Sequence, residues 1–178
     1  GLLRQSFRNY FSYIVLQLTH PDVGRKPKET WEDHLKRLED FHTRGRFKGL
    51  NYNVVFRLLN AADFGVPQTR ERVFIVGFRS DVGVDWHFPE PTHSEEALLR
   101  AQFTTGDYWT RHGIRKPKNL RTPGAGVLAR AASEEMFPAA PWKTVRDAVS
   151  DLPKPSDSRE HPQISNHRVN PGARAYVG

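Results

Sequence analysis

The sequence predicts a mixed α/β fold, and three observations support this. Apolar residues recur at helical spacing through the first 45 residues, whereas two later runs, 53–60 and 72–79, are short, apolar and rich in β-branched residues. Ten of the 13 prolines lie after residue 88. Because proline interrupts helices and strands, we expect regular elements in the first half and a loop-rich second half with short helices.

Two amphipathic helices are predicted ahead of the strands. The first spans residues 4–18 with one wide apolar face, and His20-Pro21 ends it. The second begins after Thr30, a good N-cap residue, and fades near Gly45. Its buried stripe is predicted to consist of Trp31, Leu35, Leu38 and Phe41.

The predicted strands are Asn53–Asn60 and Arg72–Arg79. The second is apolar on both faces, which is typical of a strand that helices cover on two sides. The segment between the strands, residues 61–71, is too long for a tight hairpin turn. Long loops inside compact domains often carry function, so this segment is the first candidate site.

Beyond residue 80 the sequence predicts short elements only. Ser94 is expected to cap a helix that ends near residue 103, and residues 104–126 are expected to be a loop. A capping-box-like start at Thr144 opens a further helix that ends before Pro153. Residues 153–178 show no clear helical or strand periodicity.

The composition excludes several kinds of site. The 178 residues include no cysteine, so this chain supplies no disulfide, thiolate metal site or cysteine nucleophile. The eight histidines are scattered without a His-x-x-x-His pair on a helix, so no metal site is expected and His93 is expected to be a surface or capping residue. No apolar run approaches the roughly 18 residues of a membrane helix. No glycine-rich phosphate-binding loop is present either.

The positive charge favours nucleic acid as a partner. The formal net charge is +7, and 19 of the 27 basic residues are arginines, which suit bidentate contacts to phosphates or base edges. Residues 108–133 contain no acid but hold six bases: Arg111, Arg115, Lys116, Lys118, Arg121 and Arg130. With Trp109 this stretch is either a stacking and phosphate-binding patch or an ordinary solvated loop. His167, Arg168 and Arg174 are further candidates near the end of the sequence.

Three side chains in the loop between the strands alternate along the chain. Gln68, Arg70 and Arg72 follow period-two spacing, which puts all three on one face of an extended segment. Planar hydrogen-bonding groups on one face suit an anionic or nucleobase ligand. The alternative is a surface strand whose arginines pair with local acids such as Glu71 or Asp63.

The sequence around these residues resembles a known family. Residues 59–77, LNAADFGVPQTRERVFIVG, are similar to the eighth shared motif of DNA (cytosine-5) methyltransferases, with its Gln-x-Arg-x-Arg core and Asp-Phe-Gly-Val-Pro lead-in. Residues 88–93 resemble the connector after this strand, and residues 144–153 resemble the helix before the target-recognition region. The resemblance covers residues 1–90 well and 140–155 loosely.

The resemblance implies a doubly wound, Rossmann-like sheet of a methyltransferase that uses S-adenosylmethionine. The two strands would be its last pair, with the second inserted antiparallel, followed by a loop-rich region leading to target recognition. Residues 1–88 would be the C-terminal part of the catalytic domain, and residues 89–178 the connector and the start of the target-recognition region.

The family's glycine-rich cofactor loop, Pro-Cys nucleophile loop and Glu-Asn-Val acid segment do not occur in this sequence. In family order they would precede Gly1, and the sequence does not open with methionine. We therefore expect a piece of a longer protein, inactive alone, with S-adenosylmethionine bound by parts outside this chain.

The resemblance also implies a mechanism. A cytosine flipped out of duplex DNA is attacked at C6 by a cysteine thiolate, a glutamic acid hydrogen-bonds N3, and C5 receives the methyl group. Arg72 would contact the flipped base, Arg70 would hold the adjacent phosphate or orient the catalytic loop, and Gln68 would brace the loop. The DNA backbone would be met by Arg111, Arg115, Lys116, Lys118 and Arg121.

The implied setting is restriction-modification in a bacterial cytoplasm, without a membrane. Two alternatives stay open: a non-catalytic DNA-binding module derived from such an enzyme, and an RNA-directed relative. We also expect this chain to self-associate, because it would expose an apolar sheet edge and helix face that the missing half would cover.

Overall fold

The computed structural model describes residues 5–45, 49–133, 139–156 and 160–169. The chain divides into two compact units. The first takes the residues up to 59 together with 71–90, and the second takes residues 60–70 and those from 91 onward. The loop between the two predicted strands therefore belongs to the second unit, although the strands themselves lie almost wholly in the first.

The first unit opens with two helices. A short 3-10 turn leads into α1, Arg8–Thr19, and α2 follows at Trp31–Arg44. The Thr30 hydroxyl oxygen accepts from the Asp33 N–H at 3.1 Å, which confirms the predicted N-cap. Gly45 ends α2 with a φ of +62°, a left-handed conformation that glycine adopts without strain.

The two helices pack around Tyr13, Leu35 and Leu38. His34 is fully buried beside them and is bonded at both ring nitrogens. Its Nδ1 lies 3.0 Å from the Tyr13 hydroxyl, and its Nε2 lies 2.8 Å from the Val23 carbonyl oxygen. Because a carbonyl only accepts, Nε2 carries the hydrogen, and this histidine is a satisfied core residue.

A second buried histidine joins the ends of the helices. His20 is 1% exposed, and its Nε2 lies 2.9 Å from His42 Nδ1. Burial, and then the charge of His42, lower the pKa of His20 below its usual value of 6.5. Among the residues that the structure describes, no three His, Cys, Asp or Glu side chains lie together as metal ligands. No helix in those ranges is long and apolar enough to cross a membrane.

The two predicted strands are confirmed, each beginning one residue early. β1 spans Tyr52–Asn60 and β2 spans Glu71–Arg79. Ser80 N–H donates to Asn51 O at 2.8 Å, and Gly77 faces Val54, so the strands run antiparallel. The mixed α/β class is confirmed, whereas membership of a larger doubly wound sheet stays a prediction.

Both faces of this sheet are apolar and only partly covered. On one face the Phe11 ring of α1 meets Phe56 edge-on at 4.7 Å between centroids, and Phe56 remains 48% exposed. Val55, which points to the opposite face, is 39% exposed, and Phe74 is 50% exposed. The sheet therefore presents apolar surface that the described helices do not bury.

The second unit is built from short elements. A two-residue strand pair forms its frame: β3, His93–Ser94, lies parallel to β4, Ala140–Pro141. The helices are α3 at Glu95–Leu99, continued by a π-helical turn at Arg100–Thr104, α4 at Asp107–Arg111, α5 at Ala125–Ala132 and α6 at Val145–Val149. The predicted caps at Ser94 and Thr144 are confirmed.

The expectation of a loop over residues 104–126 is wrong. Helix α4 lies within this stretch and buries Tyr108 and Trp109, which are 2% and 8% exposed. The Trp109 indole N–H donates to the Gln102 carbonyl at 2.7 Å. Both readings of Trp109, a stacking platform and a solvated loop, are therefore wrong. A five-residue helix is too short for periodicity to reveal, and packing against Leu98 and Ala101 stabilises it.

Asp147 connects α4 to α6. Its Oδ2 accepts from the Thr144 N–H at 2.7 Å and the Thr144 hydroxyl at 2.8 Å, while Oδ1 accepts from Arg111 Nη2 at 2.6 Å. His112 Nε2 lies 3.0 Å from Oδ1 but outside hydrogen-bonding alignment. Burial is the largest influence and by itself raises the Asp147 pKa. The Thr144 bonds and the charge of Arg111 outweigh it and lower this pKa below its usual 3.8.

Asp147→Asn should lower the stability of the chain at neutral pH and flatten its acid dependence. Because the folded-state pKa is depressed, the carboxylate's stabilisation is complete above the unfolded-state value and is lost as pH falls through the folded-state pKa. Urea unfolding between about pH 7 and about pH 3 measures this. Asp151→Asn, which removes an exposed carboxyl, is the control. Parallel pH profiles for wild type and Asp147→Asn would contradict the assignment.

Candidate nucleic-acid interface

The side chain of Asn60 closes the loop between the two strands. Its Oδ1 accepts from the backbone N–H of Ala62 at 3.2 Å and from that of Arg70 at 3.0 Å. The Ala61 N–H adds a bond to the Arg70 carbonyl at 3.0 Å. Because an amide oxygen has two lone pairs, Asn60 Oδ1 can accept both bonds. The Asn60 side chain therefore holds the beginning and the end of the loop together.

The loop begins with a 3-10 turn, Ala61–Phe64, and then turns at Gly65. Gly65 has a φ of +80°, and a Cβ at this position would lie 2.7 Å from the His93 ring. Glycine is therefore required both for the backbone conformation and for space. His93, expected as a surface or capping residue, is instead half-buried against this glycine.

Asp63 attaches the loop to the frame of the second unit at two points. Its backbone carbonyl accepts from the Thr92 N–H at 2.9 Å. Its carboxylate oxygen Oδ1 accepts from the Trp142 indole N–H, also at 2.9 Å. Thr92 immediately precedes β3 and Trp142 immediately follows β4, so both strands of the frame hold the turn.

The three predicted ligand-binding side chains start from different local structures. Gln68 lies in a bend, where its N–H donates to Val66 O at 2.7 Å, whereas regular strand starts only at Glu71. The alternation that predicts one shared face therefore does not extend to Gln68. Gln68 and Arg70 belong to the second unit and Arg72 to the first.

The alternative, in which the loop arginines pair with local acids, is wrong. Arg70 and Arg72 are both exposed, and neither forms an ion pair with any residue in the described ranges. Arg72 Nη1 donates to the carbonyl of Glu71 at 2.7 Å, and the Asp63 carboxylate is bonded to Trp142. A guanidinium has five N–H donors, so both arginines retain donors for a ligand.

In the basic stretch of residues 108–133, some cations contact other side chains of the chain and others do not. Arg111 pairs with Asp147 at 2.6 Å and lies over the Tyr108 ring, and the Lys116 ammonium lies 4.5 Å above the Phe103 ring. The other three predicted DNA-backbone contacts are exposed and have no partner among the described residues: Arg115, Lys118 and Arg121. Three of the five predicted DNA-backbone contacts are therefore open, and two already contact other side chains of the chain.

The C-terminal candidates contribute less to the site. His167 Nε2 lies 2.6 Å from the Pro153 carbonyl oxygen, and Arg168 forms an isolated parallel bridge with Ser156. Both contacts join residues within the C-terminal part of the described chain, between residues 153 and 168. Arg174 lies outside the described residues.

Sequence reasoning missed Asn60, Asp63 and Trp142 as residues that shape the loop. An Asn or Asp beside a turn is a local signal, because short polar side chains bond nearby backbone N–H groups. Trp142 had no such signal, since its partner is 79 residues away.

Three curated relatives match parts of the chain. A putative type II methyltransferase of Oceanobacillus iheyensis is 36% identical over 102 residues, which are 57% of this chain and 20% of that protein. A type II methyltransferase of Bacillus subtilis is 47% identical over 70 residues, 39% of this chain and 15% of that protein. One of Picosynechococcus is 40% identical over 106 residues, 60% of this chain and 30% of that protein.

The chain thus spans less than a third of the length of each of these relatives. No solved structure matches it. The family model for C-5 cytosine-specific DNA methylase matches residues 30–167, which is more than three quarters of the chain. This match includes both strands, the loop that Asn60 closes and helix α6, and the chain therefore belongs to the C-5 cytosine-specific DNA methylase family.

Proposed function

We propose that the protein carrying this chain is a DNA (cytosine-5) methyltransferase of a restriction-modification system, acting on duplex DNA in the cytoplasm. One observation carries the proposal. The family match spans two exposed arginines without an acidic partner among the described residues: Arg70, in the loop held by Asn60 and Asp63, and Arg72, at the start of β2. The relatives' names as type II methyltransferases support the restriction-modification setting.

Arg72 is proposed to contact the flipped cytosine. Attack on C6 builds negative charge on the ring and on O2, and a fixed cation beside O2 stabilises that charge more in the transition state than in the ground state. The Nη1 bond to the Glu71 carbonyl restrains the guanidinium. Restraint of this kind reduces the reorganisation needed during reaction.

Arg70 and Gln68 are proposed to act beside it. The backbone N–H and C=O of Arg70 are both bonded, to Asn60 and Ala61, so its exposed side chain starts from a fixed position. A guanidinium there suits the phosphate next to the flipped base or the catalytic loop. Gln68, held in its bend by Val66, is proposed to brace the loop.

S-adenosylmethionine would supply the methyl group when bound, but two cavities among the described residues do not fit it. Two cavities of the first unit, of ≈ 370 and ≈ 400 Å³, contain no acidic side chain in their lining. Neither can offer carboxylates to ribose hydroxyls or to the cationic groups of this cofactor. We assign cofactor binding to parts outside this chain and propose that the chain alone transfers no methyl groups.

We further propose a division of roles along the chain. Residues 1–88 would complete the catalytic domain, and residues 89–178 would lead into target recognition. The short frame strands and exposed cations of the second half suit a connector that approaches the DNA backbone.

Arg72→Ala in the full-length protein should lower methyl transfer to duplex DNA by about 10²-fold or more, the scale for removing one charge-stabilising donor. DNA affinity should change less, because the lost interaction strengthens in the transition state. Transfer of labelled methyl groups and DNA titration measure the two effects. Arg79→Ala is the matched control, since Arg79 lies on the same strand but pairs with Asp81 at 2.6 Å.

Wild-type turnover by Arg72→Ala would refute the assignment of Arg72. Methylation of RNA in place of duplex DNA would favour the RNA-directed alternative. DNA binding by the wild-type protein without methyl transfer would favour the non-catalytic module.

Replacing Arg115, Lys118 and Arg121 together by alanine should flatten the salt dependence of DNA binding. Each lost phosphate contact reduces the slope of log K against log salt by about 0.9. Titrations at several salt concentrations measure the slope. The charge-matched control removes three exposed cations of the first unit: Arg8, Lys26 and Lys36. An equal change of slope in both triple variants would show that the effect comes from net charge alone and would contradict a specific patch.

The 178-residue chain is also proposed to self-associate through its exposed sheet residues. Phe74, at 50% exposure, lies on the uncovered sheet surface, so Phe74→Lys should shift the chain toward monomer in sedimentation at high concentration. Val82→Lys is the control, because Val82 is 58% exposed but lies outside the strands. A monomeric wild-type chain at high concentration would contradict the proposal.

A further inference from the structure

We propose that Trp142 is a positioning residue for the loop of residues 60–70. Its indole N–H, bonded to the Asp63 carboxylate, sets the position from which Gln68 and Arg70 reach the substrate. The inference rests on the proposed function, because it concerns how the same loop is held during methyl transfer. Trp142 itself is not assigned a contact with the substrate.

The first support is that Trp142 stands on a fixed backbone. Its N–H donates to the Ser94 carbonyl at 3.1 Å, and the Ala140 N–H donates to Thr92 O at 3.0 Å. These two backbone bonds join the segment of β3 to that of β4. Two residues later Thr144 caps α6 through bonds with Asp147. The indole therefore projects from a segment restrained on both sides, and such a segment can hold another group in place.

The second support is where the indole bond acts. Asp63 lies in the middle of the loop's opening turn, next to Ala62, which is 1% exposed. Asn60 holds the two ends of the loop and His93 lies against Gly65. The Trp142 bond is the one of these three restraints that involves a charged acceptor, and charge-assisted hydrogen bonds are shorter and stronger than neutral ones.

The third support is that the Asp63 carboxylate is bonded by a neutral donor and by no cation of the described residues. No ion pair to this carboxylate occurs among the described residues, although Arg70 and Arg72 lie within nine positions of it in sequence. The indole supplies a neutral donor in place of a cation. Without that donor, the carboxylate would lack a partner, and the guanidinium of Arg70, a cation of the same loop, would become a competing one.

Two variants of the full-length protein test this inference directly. Trp142→Phe keeps an aromatic ring, although a smaller one, and removes the donor, and Asp63→Ala removes the acceptor. Each should lower kcat by about tenfold or more, because a small misplacement of substrate-holding groups has a large effect on rate. KM and DNA affinity should change less. The double variant should lose no more than the larger single effect, since both changes remove one bond.

A conservative variant and a matched control separate positioning from folding. Asp63→Asn keeps an oxygen acceptor for the indole and should retain most of the wild-type kcat. Trp109→Phe removes another indole bond of the second unit, the 2.7 Å bond to Gln102, and should lower Tm without lowering kcat. Equal losses of kcat in Trp109→Phe and Trp142→Phe at equal Tm would overturn the inference, as would wild-type kcat in Trp142→Phe.

Amide hydrogen exchange gives a readout that does not depend on activity. Trp142→Phe should speed exchange in residues 61–70, and Trp109→Phe should leave that segment unchanged. Absence of methyl transfer by the wild-type protein would refute the proposed function, and the exchange result would then decide the loop restraint by itself. Unchanged exchange over residues 61–70 in Trp142→Phe would overturn the positioning role.

Discussion

The oxygen of one side chain amide governs the loop on which the proposed function depends. Asn60 accepts from Ala62 and from Arg70, so a ten-residue excursion begins and ends at the same group. Closing a loop in this way removes much of its conformational freedom, which an open loop would lose only on binding a ligand. Asp63 and Gly65 then fix the path between the ends. Arg70 is presented from a backbone that is already ordered.

The distribution of charged groups in the second unit follows a consistent rule. Its partly buried carboxylates among the described residues are bonded within the chain: Asp63 by an indole, Glu96 by Arg130, and Asp147 by Thr144 and Arg111. Arg70, by contrast, is exposed without an ionic partner in the described ranges. Because a guanidinium stays protonated at any physiological pH, such cations hold a lasting attraction for phosphate. A polyanionic partner fits this arrangement.

Local sequence signals predicted much of the fold. The helix N-caps at Thr30 and Thr144 and both strands were predicted from the sequence, since caps and alternating apolar runs depend on neighbouring residues only. Helix α4 was missed, because five residues are too few to show a period and its stability comes from burying Tyr108 and Trp109. For the candidate site, the motif located the loop and its exposed arginines, but the alternation failed at Gln68.

The sequence by itself determined the class of the fold, the family and the position of the motif that holds the proposed ligand-binding arginines, since all three are encoded in contiguous stretches. Only the tertiary structure decided which charged and aromatic side chains are engaged within the chain. It assigned Arg111 to Asp147, turned Trp109 inward, and brought Trp142 to Asp63 across 79 residues. The physical reason is that burial and hydrogen-bond pairing arise between segments distant in sequence, and no local pattern records such pairs.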